Sequence, residues 1–374
     1  MRICIVGGGH IGTTLTCYIK HTFPDYFVSL YTRQQDKFVK ELICNDVERE
    51  ISYRVIPDVI SSDARLAADK VDMVFIALPH FAVEKAFEDI APFVAEKALI
   101  GVLPGGGGCE FFFNKYFDSK KTLFGFQRVP FTAKLQEYGK EVNLKSWKSF
   151  SIMGTLQADR VDFAGEQIEK CGFSLKKAAN YLEIALTPTN PILHTSRTYE
   201  LFRNYKKEHL FEERVKFYVG WTNEASMTLF EMDNELHNLL DVIEDVSTCA
   251  IRPLSEHYES STIEALTNKI NSIPTFQSVF APMKEIDGKF IADTSSRMFT
   301  EDFPWGLVII RSYFEFFGIV APMMDKVLKW YSEYMGLEWY KDGRFIGNDL
   351  RNTGDIRNYG YKTSRELIAL YKSK

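Results

Sequence analysis

Three stretches of this sequence combine residue types that could do chemistry. "GGGHIG", near the amino terminus, spaces Gly7, Gly9 and Gly12 as Gly-x-Gly-x-x-Gly. "NPILHTSR" sets His194 four residues after Asn190, and "SSRMFTEDFPWGL" gathers Arg297, Thr300, Glu301, Asp302 and Pro304. Glycines at the first spacing suit a dinucleotide: without a Cβ the first two permit a tight turn and the close approach of a pyrophosphate, and the third lets a helix pack on a strand. A histidine can give and take a proton near neutral pH. Both other stretches also have plainer readings. A lone histidine is more often a core residue bonded to a carbonyl, and Thr300 followed by acids and a proline reads as the start of a helix.

The surrounding elements decide whether the glycines can work. "RICIV" is a short, continuously apolar run of the kind that forms a buried parallel strand, and it leads straight into the glycines. An amphipathic helix follows, so the amides of His10, Ile11 and Gly12 and the helix dipole would hold two phosphates without a basic side chain. The next strand, "YFVSLYT", ends about twenty residues beyond Gly12, where an acid would bind the ribose 2′-hydroxyl of NAD. Here stand Tyr31, Thr32 and Arg33. An arginine with no carboxylate beside it suits the 2′-phosphate of NADP, and Thr32 could add a hydroxyl contact; alternatively Arg33 opens a helix, "RQQDKFVKELI", and faces solvent. NADP(H) is the expected cofactor, with NAD(H) left open.

"VDMVFIALPHFAVEKAFEDIAPFV" and "ALIGVLPGGGGCEFFFNKYF" repeat the strand and helix unit, and the alternation runs on to "TLFGFQRVP". This predicts an α/β fold: a Rossmann-type, doubly wound parallel sheet with its ligand crevice at the carboxyl ends of the strands. Leu78 and Pro79 fall at such an end, as expected cofactor contacts, and so does the run from Pro104 to Gly108. There Gly106 and Gly107 could let backbone approach the nicotinamide or a substrate, or form a flexible loop. His80, also at a strand end, reads as a loop histidine outside the chemistry. "SFSIMGTL", "DFAGEQIEKCGF" and "NYLEIALT" read as further strands around one helix and complete a first domain over residues 1–187. From 188 to 374 the apolar spacing turns helical, as in "SMTLFEMDNELHNLLDVIEDV", "GLVIIRSYFEFFGI" and "PMMDKVLKWYSEYMGL", which predicts an all-helical carboxyl-terminal domain. The cleft between two such domains is the default place for chemistry, and His194 falls close to their junction.

The 374 residues, 45% hydrophobic and 14% aromatic, supply enough apolar material for two cores. A net charge of −5 excludes an electrostatic footprint for nucleic acid or anionic lipid. Six cysteines scattered without CxxC pairs, and no signal-peptide pattern, point to a reduced, cytoplasmic protein with no metal site. The aromatic stretch "SYFEFFGIV" is too short, and too closely flanked by charge, to span a membrane. Association of copies into a homo-oligomer is left open.

Taken together, GGGHIG, Asn-Pro-x-x-His at Asn190 to His194, and Arg-x-x-Thr-Glu-Asp-x-Pro-x-Gly-Leu at Arg297 to Leu307 resemble the octopine/nopaline (opine) dehydrogenase family over essentially the whole chain. "YVGWTNEASMTLFEMDNE" also looks like that family's long helix, with Asp233 and Glu235 in the usual place. Thr195 follows the histidine where many relatives have proline, and "FGFQRVPFTAK" matches only loosely the family segment that positions the oxo acid. The resemblance implies reductive condensation of an amino acid's amine with a 2-oxo acid through an imine reduced by NAD(P)H. It maps the catalytic histidine onto His194 and its partner carboxylate onto Asp302, and makes Arg297 the preferred anchor for a substrate carboxylate, with Arg128 the second candidate. Two alternatives stand beside it: a ketopantoate-reductase-like NADPH-dependent reductase of 2-oxo acids, and a non-catalytic dinucleotide-binding sensor.

Overall fold

A computed structural model of the chain describes residues 1–372. It divides into two compact units, Met1–Ala185 joined by the described residues from Ile368 on, and Leu186–Leu367. The first unit carries twelve strands: β1 (Arg2–Val6), β2 (Phe27–Tyr31), β3 (Leu42–Asp46), β4 (Ile51–Val55), β5 (Val59–Ser61), β6 (Met73–Ile76), β7 (Leu99–Val102), β8 (Thr122–Phe126), β9 (Phe131–Glu137), β10 (Glu141–Trp147), β11 (Ser151–Thr155) and β12 (Leu175–Lys177). Eight of them form one sheet in the order β12-β11-β8-β7-β6-β1-β2-β5. Every neighbouring pair from β5 to β8 is parallel, and β11 is antiparallel to β8. The chain leaves β1 toward β2 and later returns to β6 on the other side of β1. That reversal is the switch point at which doubly wound sheets bind ligands, and it is a Rossmann-type sheet as expected. Ile3, Cys4 and Ile5 of β1 are fully buried, which is why the run reads as continuously apolar.

Two stretches differ from their expected form. Beyond Arg33 the chain makes only one short helical turn, Gln35–Lys37, and then β3 instead of the helix "RQQDKFVKELI". Side chains along β3 alternate between buried and half-buried, the two-residue period of a strand, and β3 joins a separate four-stranded sheet, β4-β3-β10-β9. "NYLEIALT" is not a strand either: its Leu182–Ala185 segment is a single helical turn. Asn180 accepts from the Glu183 amide through Oδ1 at 3.3 Å, and the Glu183 carboxylate accepts from the Ala179 amide at 2.7 Å. These side-chain bonds to nearby amides favour a turn over a ladder.

The second unit is built on helices Asn190–Phe202, Asn223–Leu240, Ile263–Ser272, Val308–Phe317 and Pro322–Met335. Thr222 caps the long helix by accepting from the Ala225 amide. Asp233 and Glu235, on that helix, organise their neighbours: Asp233 accepts from the Leu254 amide at 2.7 Å, and Glu235 takes the Met323 and Met324 amides at 2.6 and 3.0 Å, closing the amino terminus of helix Pro322–Met335. An all-helical unit is corrected in one place, by the hairpin β13 (Met283–Ile286) and β14 (Lys289–Ala292). Its turn residues, Asp287 and Gly288, both have positive φ, the Asp-Gly pairing that a two-residue hairpin loop demands. All six cysteines are free thiols, and among the described residues no helix is long and apolar enough to cross a membrane.

Candidate active site

In the first unit the glycines form a cradle whose dimensions explain each position. A Cβ on Gly12 would lie 1.8 Å from the Gly7 carbonyl oxygen, and one on Gly7, whose φ is +110°, would lie 2.6 Å from the Ala77 oxygen and 2.9 Å from the Leu78 side chain. Strand, turn and helix are therefore pressed together. Gly9, by contrast, has nothing within 4 Å of where its Cβ would be. Helix His10–Thr22 begins there, so open space lies against its first amides, and the residues present fit a pyrophosphate. The His10 side chain serves another purpose, accepting from the Leu135 amide through Nδ1 at 2.9 Å and tying β9 to the helix start.

At the end of β2, Thr32 is buried and its hydroxyl accepts from the Gln34 amide at 3.4 Å, while Arg33 is exposed and has no hydrogen-bond or ion-pair partner among the described residues. The guanidinium is therefore neither opening a helix nor neutralised. Leu78 and Pro79 follow β6 beside Gly7, half-buried. In the glycine run, Gly105 packs against Ile184 and Gly125, and Gly107, with φ of +81°, lies so close to the His80 ring that a Cβ would be 2.1 Å from it. Gly106 keeps the freest face, with only the Ala185 oxygen at 3.8 Å. Gly107 thus accommodates His80, and the expected approach to a ligand is left to Gly106.

The second unit brings His194 and Asp302 together across 108 residues of sequence: Nδ1 of the imidazole lies 2.8 Å from the Asp302 carboxylate. His194 comes from helix Asn190–Phe202, with Pro191 in its first turn. Asp302 directly precedes a π-helical segment, Phe303–Leu307, and its carboxylate makes no helix cap. Thr300 does not cap a helix either, since its hydroxyl donates to the Ser296 carbonyl. The other imidazole nitrogen, Nε2, lies 2.8 Å from the hydroxyl of Tyr218. Both ring nitrogens are thereby engaged, and the side chains of His194 and Asp302 are only 14% and 13% exposed. A carboxylate can only accept, so the neutral imidazole carries its proton on Nδ1 and presents its lone pair on Nε2.

Tyr218 opens the stretch "YVGWTNEASMTLFEMDNE" quoted for the resemblance but was given no role there: the long helix begins only at Asn223, Tyr218 lies in the irregular segment before it, and a single tyrosine has no spacing to betray it. Its ring stacks on Phe276 at 3.9 Å and lies edge-on to Phe217, which also packs against His194. Burial, with Tyr258 and Asp302 nearby, pushes its hydroxyl well above the ordinary tyrosine range. Arg297 is near the pair in sequence and pairs through Nε with the buried carboxylate of Glu301 at 2.5 Å; its side chain is 65% exposed. Arg128 belongs to the other unit, half-buried just beyond β8.

Comparison with known proteins matches two family models to different parts of the chain. Residues 177–335 match the family described as NAD/NADP octopine/nopaline dehydrogenase, alpha-helical domain, and residues 3–152 match ketopantoate reductase. The octopine dehydrogenase of Pecten maximus is 23% identical over 98% of this chain and 98% of its own length, and the tauropine dehydrogenase of Arabella iricolor is 24% identical over 98% and 99%. A solved structure of octopine dehydrogenase with NADH and L-arginine superposes with a TM-score of 0.84 at 22% identity, covering 100% of this chain and 98% of that one. At that identity the superposition establishes the fold.

Proposed function

We propose that this chain is a member of the octopine/nopaline (opine) dehydrogenase family that joins the amine of an amino acid to a 2-oxo acid by reductive condensation, with His194 as general acid and base. It is an NAD(P)-dependent oxidoreductase acting on CH–NH groups. The observation that carries the mechanism is the His194 imidazole held at 2.8 Å from Asp302 in the helical unit.

The amine adds to the oxo carbon, the resulting carbinolamine loses water to an imine, and the imine takes up a hydride and a proton to become a secondary amine. The bound reduced dinucleotide supplies that hydride. His194 answers the proton demand of the other steps. As the amine attacks, negative charge gathers on the carbonyl oxygen and a proton must be delivered there; the same oxygen then needs a second proton to depart as water. Asp302 fixes the tautomer and stabilises the imidazolium when it forms. The Arg297 fork offers planar, paired donors to a substrate carboxylate. On the cofactor side, the glycine cradle would hold the pyrophosphate, and Arg33, exposed and without a partner among the described residues, would take a 2′-phosphate, which favours NADP(H) over NAD(H).

A simple 2-oxo acid reductase is the second reading, favoured by the ketopantoate reductase match. That match is confined to the half with the glycine cradle, where the two kinds of enzyme share a plan, whereas the His194 and Asp302 pair lies in the other. A sensor has no use for a proton relay. The deciding experiment follows NADPH and NADH oxidation with pyruvate, 2-oxoglutarate and other oxo acids, each with and without pooled amino acids. Oxidation that requires both partners is the expected result; oxidation by an oxo acid alone would replace the opine reading with the simple reductase.

A further inference from the structure

We propose that Tyr218 is a positioning residue: its hydroxyl donates to Nε2 of His194 and holds the imidazole in its proton-accepting form, with the proton on Nδ1, until a substrate oxygen displaces that bond. The inference rests on the role given to His194 above, and deepens it by naming what governs the imidazole before substrate arrives.

The argument begins with which atoms can donate. Asp302 accepts at Nδ1, so in the neutral ring Nε2 has only a lone pair to offer, and the contact of 2.8 Å to Tyr218 exists only if the phenol hydrogen points at the ring. The phenol is 5% exposed and, among the described residues, has no other hydrogen-bond partner. Protonating Nε2 would turn the ring into a donor and leave the phenol hydrogen buried without an acceptor, a loss that disfavours the imidazolium. The other charged or titratable groups nearby are Asp302 at Nδ1, Arg297 close to Asp302, and Tyr258, which adds to the suppression of Tyr218 ionisation. Asp302 thus pulls the ring toward the charged form and Tyr218 toward the neutral one.

A substrate oxygen changes the balance. Once a carbonyl or hydroxyl oxygen reaches Nε2, the phenol hydrogen has a new acceptor, and its opposition to the imidazolium disappears. The ring then becomes a competent acid only with substrate in place. Tyr218 is held firmly enough for this, between Phe276 on its face and the Phe217 carbonyl bonded to Arg197 at 2.7 Å.

The test uses the full-length protein without substrate, so its outcome does not depend on the opine reading. His194 ring resonances, assigned by their loss in His194→Gln, are followed by ¹⁵N NMR against pH in the wild type and in Tyr218→Phe, which keeps the stack on Phe276. In the wild type the neutral ring is expected to show a protonated Nδ1 and an unprotonated, hydrogen-bonded Nε2. In Tyr218→Phe the titration is expected to move up by about one pH unit, the size of one ordinary hydrogen bond. A wild-type neutral ring protonated on Nε2 would overturn the proposal without recourse to any variant, as would superimposable titrations of the two proteins. With a working substrate pair, the acid limb of kcat/KM for opine oxidation, which needs the neutral base, should shift upward by the same amount; an unmoved limb would overturn the proposal for the catalytic cycle.

Discussion

Arg197 donates from Nε to the backbone carbonyl of Phe217 at 2.7 Å, so the helix that carries His194 also anchors the segment that carries its tyrosine. The guanidinium is 2% exposed, pairs with Glu200 at 2.5 Å and lies over the Trp221 ring. Its job is to hold two parts of the site in register.

Arg197→Met should therefore do two things at once. It strands the Phe217 carbonyl and the Glu200 carboxylate, and loss of one partner from a buried pair costs about 3 kcal/mol or more; it also releases the Phe217–Tyr218 backbone. Urea denaturation is expected to report the destabilisation, and turnover should fall while NADPH affinity holds. Arg197→Lys, which keeps the charge without the fork, should lose less stability. Wild-type stability in the methionine variant would remove Arg197 from this role.

Asp302→Asn tests the tautomer directly. The amide can present an N–H to Nδ1, which drives the imidazole proton to Nε2 and spoils the lone pair the reaction needs. Turnover is expected to drop by ~10²-fold or more with dinucleotide binding intact. A change of only a few-fold would mean that Asp302 positions nothing of consequence.

For the cofactor, Arg33→Ala should weaken NADPH by about tenfold or more, the value of a charge-assisted hydrogen bond, and leave NADH nearly unaffected. Isothermal titration with each dinucleotide measures this. Equal losses for both would exclude a 2′-phosphate contact.

What the sequence made legible follows from how local each signal is. The glycine cradle is local: spacing, preceding strand and following helix all lie within about twenty residues, and the structure places Gly7 and Gly12 against atoms that exclude a Cβ while Gly9 faces open space. The pairing of His194 with Asp302 came from resemblance, since no periodicity links residues 108 positions apart. Tyr218 and Arg197 escaped because their roles are set by tertiary contacts from an irregular segment and a helix interior. The β3–β4 and β9–β10 sheet escaped for a related reason: a charged strand half-exposed at its rim resembles an amphipathic helix until its partners are known. The β13–β14 hairpin was different, because Asp287-Gly288 is a readable turn that the helical pattern around it obscured.

Asp233 gives a prediction about stability and pH. It is 2% exposed with a single amide bond, from Leu254, and burial pushes its carboxyl up to about 7. A folded-state value above the unfolded one means that the native state binds the proton more tightly. The contribution is therefore fully present below the unfolded value, near 3.8, and is lost as pH rises through about 7. Glu110 in the first unit, also pushed up to about 7 by burial, acts in the same direction, so a variant at Asp233 should remove only part of the slope. Asp233→Asn can still accept from the Leu254 amide but has no proton to lose. Measured by urea denaturation at about pH 5 and about pH 7.5, the variant should gain on the wild type as pH rises. A stability difference that stays the same at both pH values would show that Asp233 is ionised in the folded protein throughout.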